Sequence, residues 1–343
     1  MQIQENISLR PYNTFGIDVT ARLFASFKEQ TELIEILSHY EKDRILILGG
    51  GSNILFTKNF DGLVLQNKVK GITKIAEDDN YVYIKAGAGE NWHRLVLHCI
   101  ENNWAGIENL SLIPGSVGAS PMQNIGAYGV ELKDVFYELE AIHRYEKMVE
   151  QFSLADCEFG YRESVFKKKY QDEFVITTVT YKLRKQPVFN TSYGAIEQEL
   201  ERRGVKVLSI KAISDAVINI RSSKLPNPAE IGNAGSFFKN PSVTKEKFES
   251  LKNNFKNIVG HENNDGTIKL AAGWLIEQCG PAKSGISWKG YRKGDAGCHA
   301  KQALVLVNYG HAGGNEIYNL SEEIFQSVEE KFGVTIEREV NIF

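Results

Sequence analysis

The stretch Ile45-Leu46-Ile47-Leu48-Gly49-Gly50-Gly51-Ser52-Asn53 decides the fold. Four large aliphatic residues in a row suit a strand buried on both faces. The three glycines that follow remove every Cβ, permit φ > 0 and let backbone N–H groups converge on a phosphate, while Ser52 and Asn53 add hydrogen-bonding side chains. Taken alone, such a run also serves as a plain tight turn. The Gly-x-Gly-x-x-Gly dinucleotide pattern is excluded, because it needs glycine at position 54, which is Ile54, and the later Gly87-Ala88-Gly89 meets Trp92 at that place. The P-loop pattern is absent as well.

Working outward, helices and strands interleave. Leu33, Ile34, Ile36 and Leu37 predict a helix over 31–40 feeding the strand at 45–48. Further strands are predicted at 62–66, 81–86 and 174–181, and a helix over 91–102 through Trp92, Leu95, Val96 and Cys99. The segment 185–194 reads as a loop, and helical spacing resumes over 195–203 and 210–222. Lys224-Leu225-Pro226-Asn227-Pro228 breaks it, so a domain boundary is expected near Arg221. Beyond lie a glycine-containing loop (232–241), an apolar helix (270–279), a strand (302–308), an amphipathic helix (314–332) and a last strand (334–342).

The bulk numbers narrow the function. A chain of 343 residues predicts two or three domains, and a net charge of −3 argues against nucleic acid as a partner. No apolar run approaches the roughly 18 to 20 residues that cross a bilayer, and Met1-Gln2-Ile3-Gln4-Glu5-Asn6 does not read as a signal peptide. Cys99, Cys157, Cys279 and Cys298 form no Cys-x-x-Cys and the histidines show no ligand spacing, which predicts reduced thiols, a cytoplasmic protein and no metal. Lys167-Lys168-Lys169 reads as solvated surface.

Three more segments carry chemistry. Ile113 to Gly129 is almost entirely small residues and amides, which let backbone approach a flat ligand, and Gln123 and Asn124 can pair with its polar edges. Two small-residue loops predict one large ligand lying across both. Arg162, in Gly160-Tyr161-Arg162-Glu163, offers a planar fork suited to a carboxylate or a developing enolate. Ser236 sits between glycine-flanked backbone and two phenylalanines, and Glu337 and Glu339 alternate onto one face of an extended segment. Each also has a plain reading: a surface ion pair, a turn hydrogen bond, a solvent-facing edge.

Together these segments resemble the UDP-N-acetylenolpyruvoylglucosamine reductase family, nearly end to end. The resemblance is carried by Asn13-Thr14-Phe15-Gly16, Gly49 to Leu55, Ile113 to Gly129, Tyr161-Arg162 to Lys167, Arg221-Ser222-Ser223-Lys224-Leu225-Pro226, Gly232 to Pro241, Ala271-Ala272-Gly273-Trp274-Leu275-Ile276, Gln302 to Asn308 and Glu339-Val340. It implies an α+β fold: a two-subdomain FAD-binding module of the vanillyl-alcohol-oxidase (PCMH) type over 1–66 and 67–220, then an α/β substrate-binding domain over 221–343 whose last strand returns to the active site. Such a module binds FAD without the dinucleotide fingerprint. Gln186 to Gly194, with Tyr193, is similar to the substrate-covering loop of the family's type I members.

The resemblance further implies NADPH-dependent reduction of UDP-N-acetylglucosamine enolpyruvate through FAD, in a monomer that needs neither metal nor membrane. It assigns Gly49, Gly50, Gly51, Ser52, Asn53, Pro114, Ser116, Gly118, Ala119, Asn124, Gly126 and Ala127 to the cofactor. It assigns Tyr193, Lys224, Asn240 and, more weakly, Gln302 to the substrate's diphosphate. Arg162 is implied to stabilise the carboxylate or enolate, Ser236 to protonate the carbanionic carbon, with a water or Lys239 completing a relay, and Glu339 to assist. The chain departs from the family in having Asn341 where many relatives have Arg after the valine. Two other readings stay open: an oxidase of the same fold, although many of these tether FAD through His or Cys and neither occurs between Arg44 and Gly62, and a nucleotide-sugar binder without chemistry.

Overall fold

The computed structural model describes residues 2–263, 265–282 and 284–343. Two compact units emerge. The first comprises the stretch up to Ile7, Ala21–Gly51 and Phe60–Ser223, and the second Ser8–Thr20, Ser52–Asn59 and Lys224–Phe343.

In the first unit a four-stranded sheet has the order Gln4–Ser8, Thr20–Phe27, Phe60–Asn67, Ile45–Leu48. Phe60–Asn67 runs parallel to both of its neighbours, and helix α1 (Gln30–His39) makes the crossover that parallel strands require. Its Leu33, Ile36 and Leu37 join Leu23, Phe27, Leu63 and Leu65 in one apolar cluster. A second sheet, antiparallel throughout, has the order Val149–Ser153, Phe136–His143, Phe174–Arg184, Tyr81–Gly87, Ile72–Glu77. Val82, Ile84 and Ala86 alternate inward and pack with Trp92, Leu95, Val96 and Cys99 of α2 (Trp92–Glu101). Helices α3 (Gly194–Arg202) and α4 (Ile210–Lys224) close on each other through Ile196, Leu200, Ile213, Val217 and Ile220.

In the second unit the sheet order is Gly232–Asn233, Gln302–Asn308, Ala296–His299, Arg292–Lys293. Helix α5 (Lys245–Asn254) starts at Thr244, whose hydroxyl accepts from Lys247 N at 3.2 Å. Helix α6 (Ala272–Glu277) is shorter than the expected 270–279: Leu270 instead ends the strand Ile268–Leu270, paired with Gly260–Glu262 and Ser242–Val243. Helix α7 (Gly314–Phe332) ends at Gly333 in the left-handed region, φ +59°.

The expected division into 1–66, 67–220 and 221–343 puts Ser8–Thr20 and Ser52–Asn59 with the first subdomain, whereas their contacts group them with the C-terminal unit. Asn233 N donates to Thr14 O at 3.0 Å, Asn308 Nδ2 donates to Phe15 O at 2.9 Å, and Ile54–Leu55 lies parallel to Asn341–Ile342. Regular pairing of the last segment is confined to Asn341–Ile342, with a bridge between Phe238 and Arg338, where one strand over 334–342 is expected. The four cysteines are free and buried, and burial pushes the thiols of Cys99, Cys157 and Cys298 up to about 12. Among the described residues no helix is long and apolar enough to cross a membrane.

Candidate active site

Beyond the end of Ile45–Leu48 the glycine run meets the small-residue loop. A Cβ on Gly49 would stand 2.3 Å from Ser116 Oγ, and one on Gly118 would stand 2.6 Å from Ala88 Cβ. The loop is fixed there by Trp92 N to Gly115 O at 3.1 Å, Val117 N to Glu90 O at 2.8 Å and Gly118 N to Ala88 O at 2.8 Å. Gly49, Gly50 and Gly51 thus share a surface with Pro114, Ser116, Gly118 and Ala119, of which Gly50, Pro114 and Ala119 are exposed. Ser52 and Asn53 belong to the second unit. There Asn53 Nδ2 donates to Glu339 O at 3.1 Å and Asn53 O accepts from Asn341 N at 3.1 Å, so this expected cradle residue braces the C-terminal segment.

Gly126–Ala127 pairs with Val130–Glu131 in a short hairpin. Around it three non-glycine residues hold left-handed backbone: Asn124 at φ +43°, Tyr128 at +50° and Arg162 at +57°. Such strain persists only where surroundings over-determine it, and it gathers at functional sites. Asn124, fully buried, donates to Glu131 Oε2 at 3.1 Å and Gly160 O at 3.0 Å and accepts from Lys133 N at 3.0 Å. Both its amide hydrogens are used, so this expected cofactor residue works through its side chain as a clamp on the turn that carries Arg162. Arg162 Nη2 donates to Gly126 O at 2.5 Å, Nη1 reaches Asn124 O at 3.5 Å, and the guanidinium lies 5.3 Å from the Tyr161 ring centroid.

Close to Arg162, the Tyr128 hydroxyl is hydrogen-bonded to Arg221, and the Tyr128 ring packs edge-on against Tyr193 with centroids 5.3 Å apart. Burial pulls the Arg221 guanidinium below its ordinary pKa, and the Arg162 charge pulls the same way. His93 is held below the usual imidazole value by burial and then by Arg221. Tyr193 is 53% exposed. The base of its loop is pinned: Asn190 Nδ2 donates to Gly129 O at 2.9 Å, and Asn109 Nδ2 donates to Tyr128 O at 3.0 Å and Asn190 O at 2.9 Å.

In the second unit the segment 237–239 runs antiparallel to 337–339. Glu339 N donates to Phe237 O and Lys239 N to Glu337 O, both at 2.8 Å. This register places Glu339 opposite Phe237, next to Ser236. Gly235, at φ +70°, turns the chain into the segment. Ser236 is half-buried, and its hydroxyl makes no hydrogen bond to another described residue. Lys239 pairs with the exposed Glu337 at 3.2 Å. Arg338 turns the other way, donating to Ser321 Oγ at 2.8 Å and Glu322 Oε1 at 2.5 Å. Asn240 Oδ1 accepts from Ala272 N at 3.0 Å and starts α6. Gln302 Oε1 accepts from Leu304 N at 3.4 Å, and the exposed Lys224 ends α4 with its backbone bonded to the His299 ring.

A model of the UDP-N-acetylenolpyruvoylglucosamine reductase C-terminal domain matches residues 227–343, and a FAD binding domain model matches residues 21–150. Relatives named UDP-N-acetylenolpyruvoylglucosamine reductase from Amoebophilus asiaticus and Flavobacterium johnsoniae are 52% and 49% identical over 100% of this chain and 99% and 100% of theirs. The chain belongs to the UDP-N-acetylenolpyruvoylglucosamine reductase family. The crystal structure of the reductase from Thermus caldophilus aligns over 100% of this chain and 99% of that one with a TM-score of 0.68 at 21% identity, which shows a shared fold.

The residues present fit the FAD implied by reductase-family membership. The contact at Gly49 and Ser116 leaves no room for a larger residue, so two loops of small residues meet there, and the second of them carries Tyr128, hydrogen-bonded to Arg221, whose Nε is enclosed without a hydrogen-bond partner. Sequence reasoning assigned no role to Tyr128, Asn190 or Arg221. Arg221 had a signal: it stands four residues after Val217, on the apolar stripe that includes Ile213 and Val217.

Proposed function

We propose that this chain reduces UDP-N-acetylglucosamine enolpyruvate to UDP-N-acetylmuramate with NADPH through FAD, a step of peptidoglycan precursor synthesis. The end-to-end likeness to relatives named for this substrate carries the reading. When bound, FAD supplies a two-electron carrier between NADPH and the enol ether. Gly49, Gly50, Gly51, Ser52, Asn53, Pro114, Ser116, Gly118, Ala119, Asn124, Gly126 and Ala127 make its site, chiefly through small side chains and the close approach of backbone that they allow.

Hydride arriving at the terminal carbon of the enolpyruvyl group builds negative charge on the adjacent carbon and its carboxylate. Arg162 stabilises that charge, and its guanidinium, already held by Gly126 O, needs little reorganisation to do so. Ser236 gives its hydroxyl proton to the carbanionic carbon, with a water or Lys239 completing the relay. Glu339, held next to Ser236 by the ladder with Phe237, assists from the same side. Lys224, Asn240, Tyr193 and, more weakly, Gln302 take the diphosphate, Tyr193 belonging to the loop that resembles the type I substrate-covering loop. We place the enzyme in the cytoplasm as a monomer, which sedimentation equilibrium checks.

The test is an anaerobic visible spectrum. Flavin bands that bleach with NADPH and return on adding UDP-N-acetylglucosamine enolpyruvate establish both half-reactions. Bands that return only when oxygen enters make the protein an oxidase, and a protein that cannot be loaded with FAD overturns the cradle.

A further inference from the structure

Glu339 uses both of its backbone groups to join two segments of the second unit. Its N–H donates to Phe237 O at 2.8 Å, next to Ser236, and its carbonyl accepts from Asn53 Nδ2 at 3.1 Å. Asn53 is held from the other direction as well, because its own carbonyl accepts from Asn341 N at 3.1 Å and from Asn341 Nδ2 at 3.0 Å. A backbone carbonyl can take two donors at once, and here one residue supplies both. The backbone bond belongs to the pairing of Asn341–Ile342 with Ile54–Leu55 and would form with any ordinary residue at position 341. The Nδ2 bond depends on the side chain, and it goes to the residue before Ile54–Leu55. The pairing itself is short and partly open to water: it is two residues long with Asn341 exposed, and Phe343 N to Leu55 O at 2.9 Å and Thr57 N to Phe343 O at 2.6 Å continue it. Such pairings lie at the low end of local stability, so the placement of the segment responds to whatever holds Asn53.

We propose that Asn341 is a positioning residue that couples filling of the cofactor site to the placement of Glu339. Asn341 fixes the Asn53 carbonyl and Asn53 fixes the Glu339 carbonyl, so a bound cofactor that steadies Asn53 also steadies the segment carrying Glu339. The proposal rests on the proposed function for the cofactor role of Asn53 and for the part that Glu339 plays beside Ser236. Coupling of this kind is reciprocal. A loosened segment must weaken cofactor binding, and an empty cofactor site must loosen the segment. A plain brace behaves differently: it stabilises the apoprotein and the loaded protein alike and leaves FAD affinity where it was.

The test compares the full chain with and without FAD. Two quantities are read: amide hydrogen exchange over residues 334–343, with helix α5 of the same unit as the reference, and the dissociation constant of FAD from the change in its fluorescence. In the parent, FAD is expected to slow exchange over 334–343 about tenfold more than in α5. In Asn341→Leu that excess should largely vanish, and the FAD dissociation constant should rise about three- to tenfold, the effect of losing one hydrogen bond. Asn341→Gln, which keeps an amide donor, should recover part of both. Equal slowing in 334–343 and α5 reports only the general stabilisation that any ligand of the folded state gives, and overturns the proposal. An Asn341→Leu chain whose FAD affinity stays within twofold of the parent overturns it equally. Should that variant not fold, the exchange comparison in the parent decides alone. Failure of the functional reading shows separately, in a parent that holds FAD and shows the local slowing but whose bleached flavin UDP-N-acetylglucosamine enolpyruvate does not reoxidise.

Discussion

The turn that carries Arg162 and the segment that carries Ser236 and Glu339 are built on opposite principles. Around Arg162 the backbone is strained at three non-glycine positions and is held by a side chain, Asn124, that commits every hydrogen it has. Around Ser236 the backbone is an ordinary antiparallel ladder, and the hydroxyl proposed as proton donor makes no hydrogen bond among the described residues. The difference suits the two proposed tasks. A cation that must meet developing charge gains from being fixed beforehand, whereas a hydroxyl that gives up a proton must stay able to turn and be recharged.

If that contrast holds, the halves break differently, and Ser236→Ala is the sharpest case. It removes a hydroxyl without a hydrogen-bond partner among the described residues, so turnover should fall by about 10²–10⁴ while the melting temperature and the bleaching of flavin by NADPH stay at parent values. A fall in melting temperature of several degrees would make the hydroxyl structural and erase the contrast. Asn124→Ala is the converse. It leaves Gly160 O, Lys133 N and Glu131 without their buried partner, and urea unfolding should show a loss of about 3 kcal/mol. Substrate affinity should fall as well, because the turn bearing Arg162 is no longer held. A smaller loss is expected from Asn53→Ala, whose amide braces the C-terminal segment alongside the Ile54–Leu55 pairing that survives the change: about 1 kcal/mol, with turnover reduced through misplacement of Glu339.

These two constructions were unequally legible in the sequence. Gly49 to Asn53 announces itself because strand, turn and glycine are adjacent in the chain, and the small residues of 113–129 carry their meaning in composition. What those residues do was less visible. Asn124 looks like a ligand-facing amide until Gly160 and Glu131 are known to lie around it, and those neighbours are set by tertiary packing, not by spacing. The ladder that sets Glu339 beside Ser236 joins segments about a hundred residues apart, so no local period marks it, and the alternation over 334–342 read as a full strand although only Asn341–Ile342 finds a regular partner. Helix α5 escaped for a simpler reason: Phe248 and Leu251 are its only large apolar residues, and two positions do not make a stripe.

The smallest effect separates the halves by pH. Glu108 opens the turn whose Asn109 holds Tyr128 and Asn190, and only 3% of it is exposed. Burial raises its carboxyl pKa above 4.5, against the opposing hydrogen bond from Gly106 N to Oε2 at 2.7 Å. The native state therefore holds this proton at pH values where the unfolded chain has released it. Stability from this group is fully present below about 4.5 and is lost as pH rises through the raised folded-state value. Glu108→Gln keeps an oxygen for Gly106 N and removes the titration. Urea midpoints measured from pH 4.5 to 8 should accordingly decline less steeply in the variant than in the parent, with the two closest at the acid end. Parallel curves would mean that Glu108 is ionised with little penalty, and the turn behind Tyr128 would then need another explanation for its rigidity.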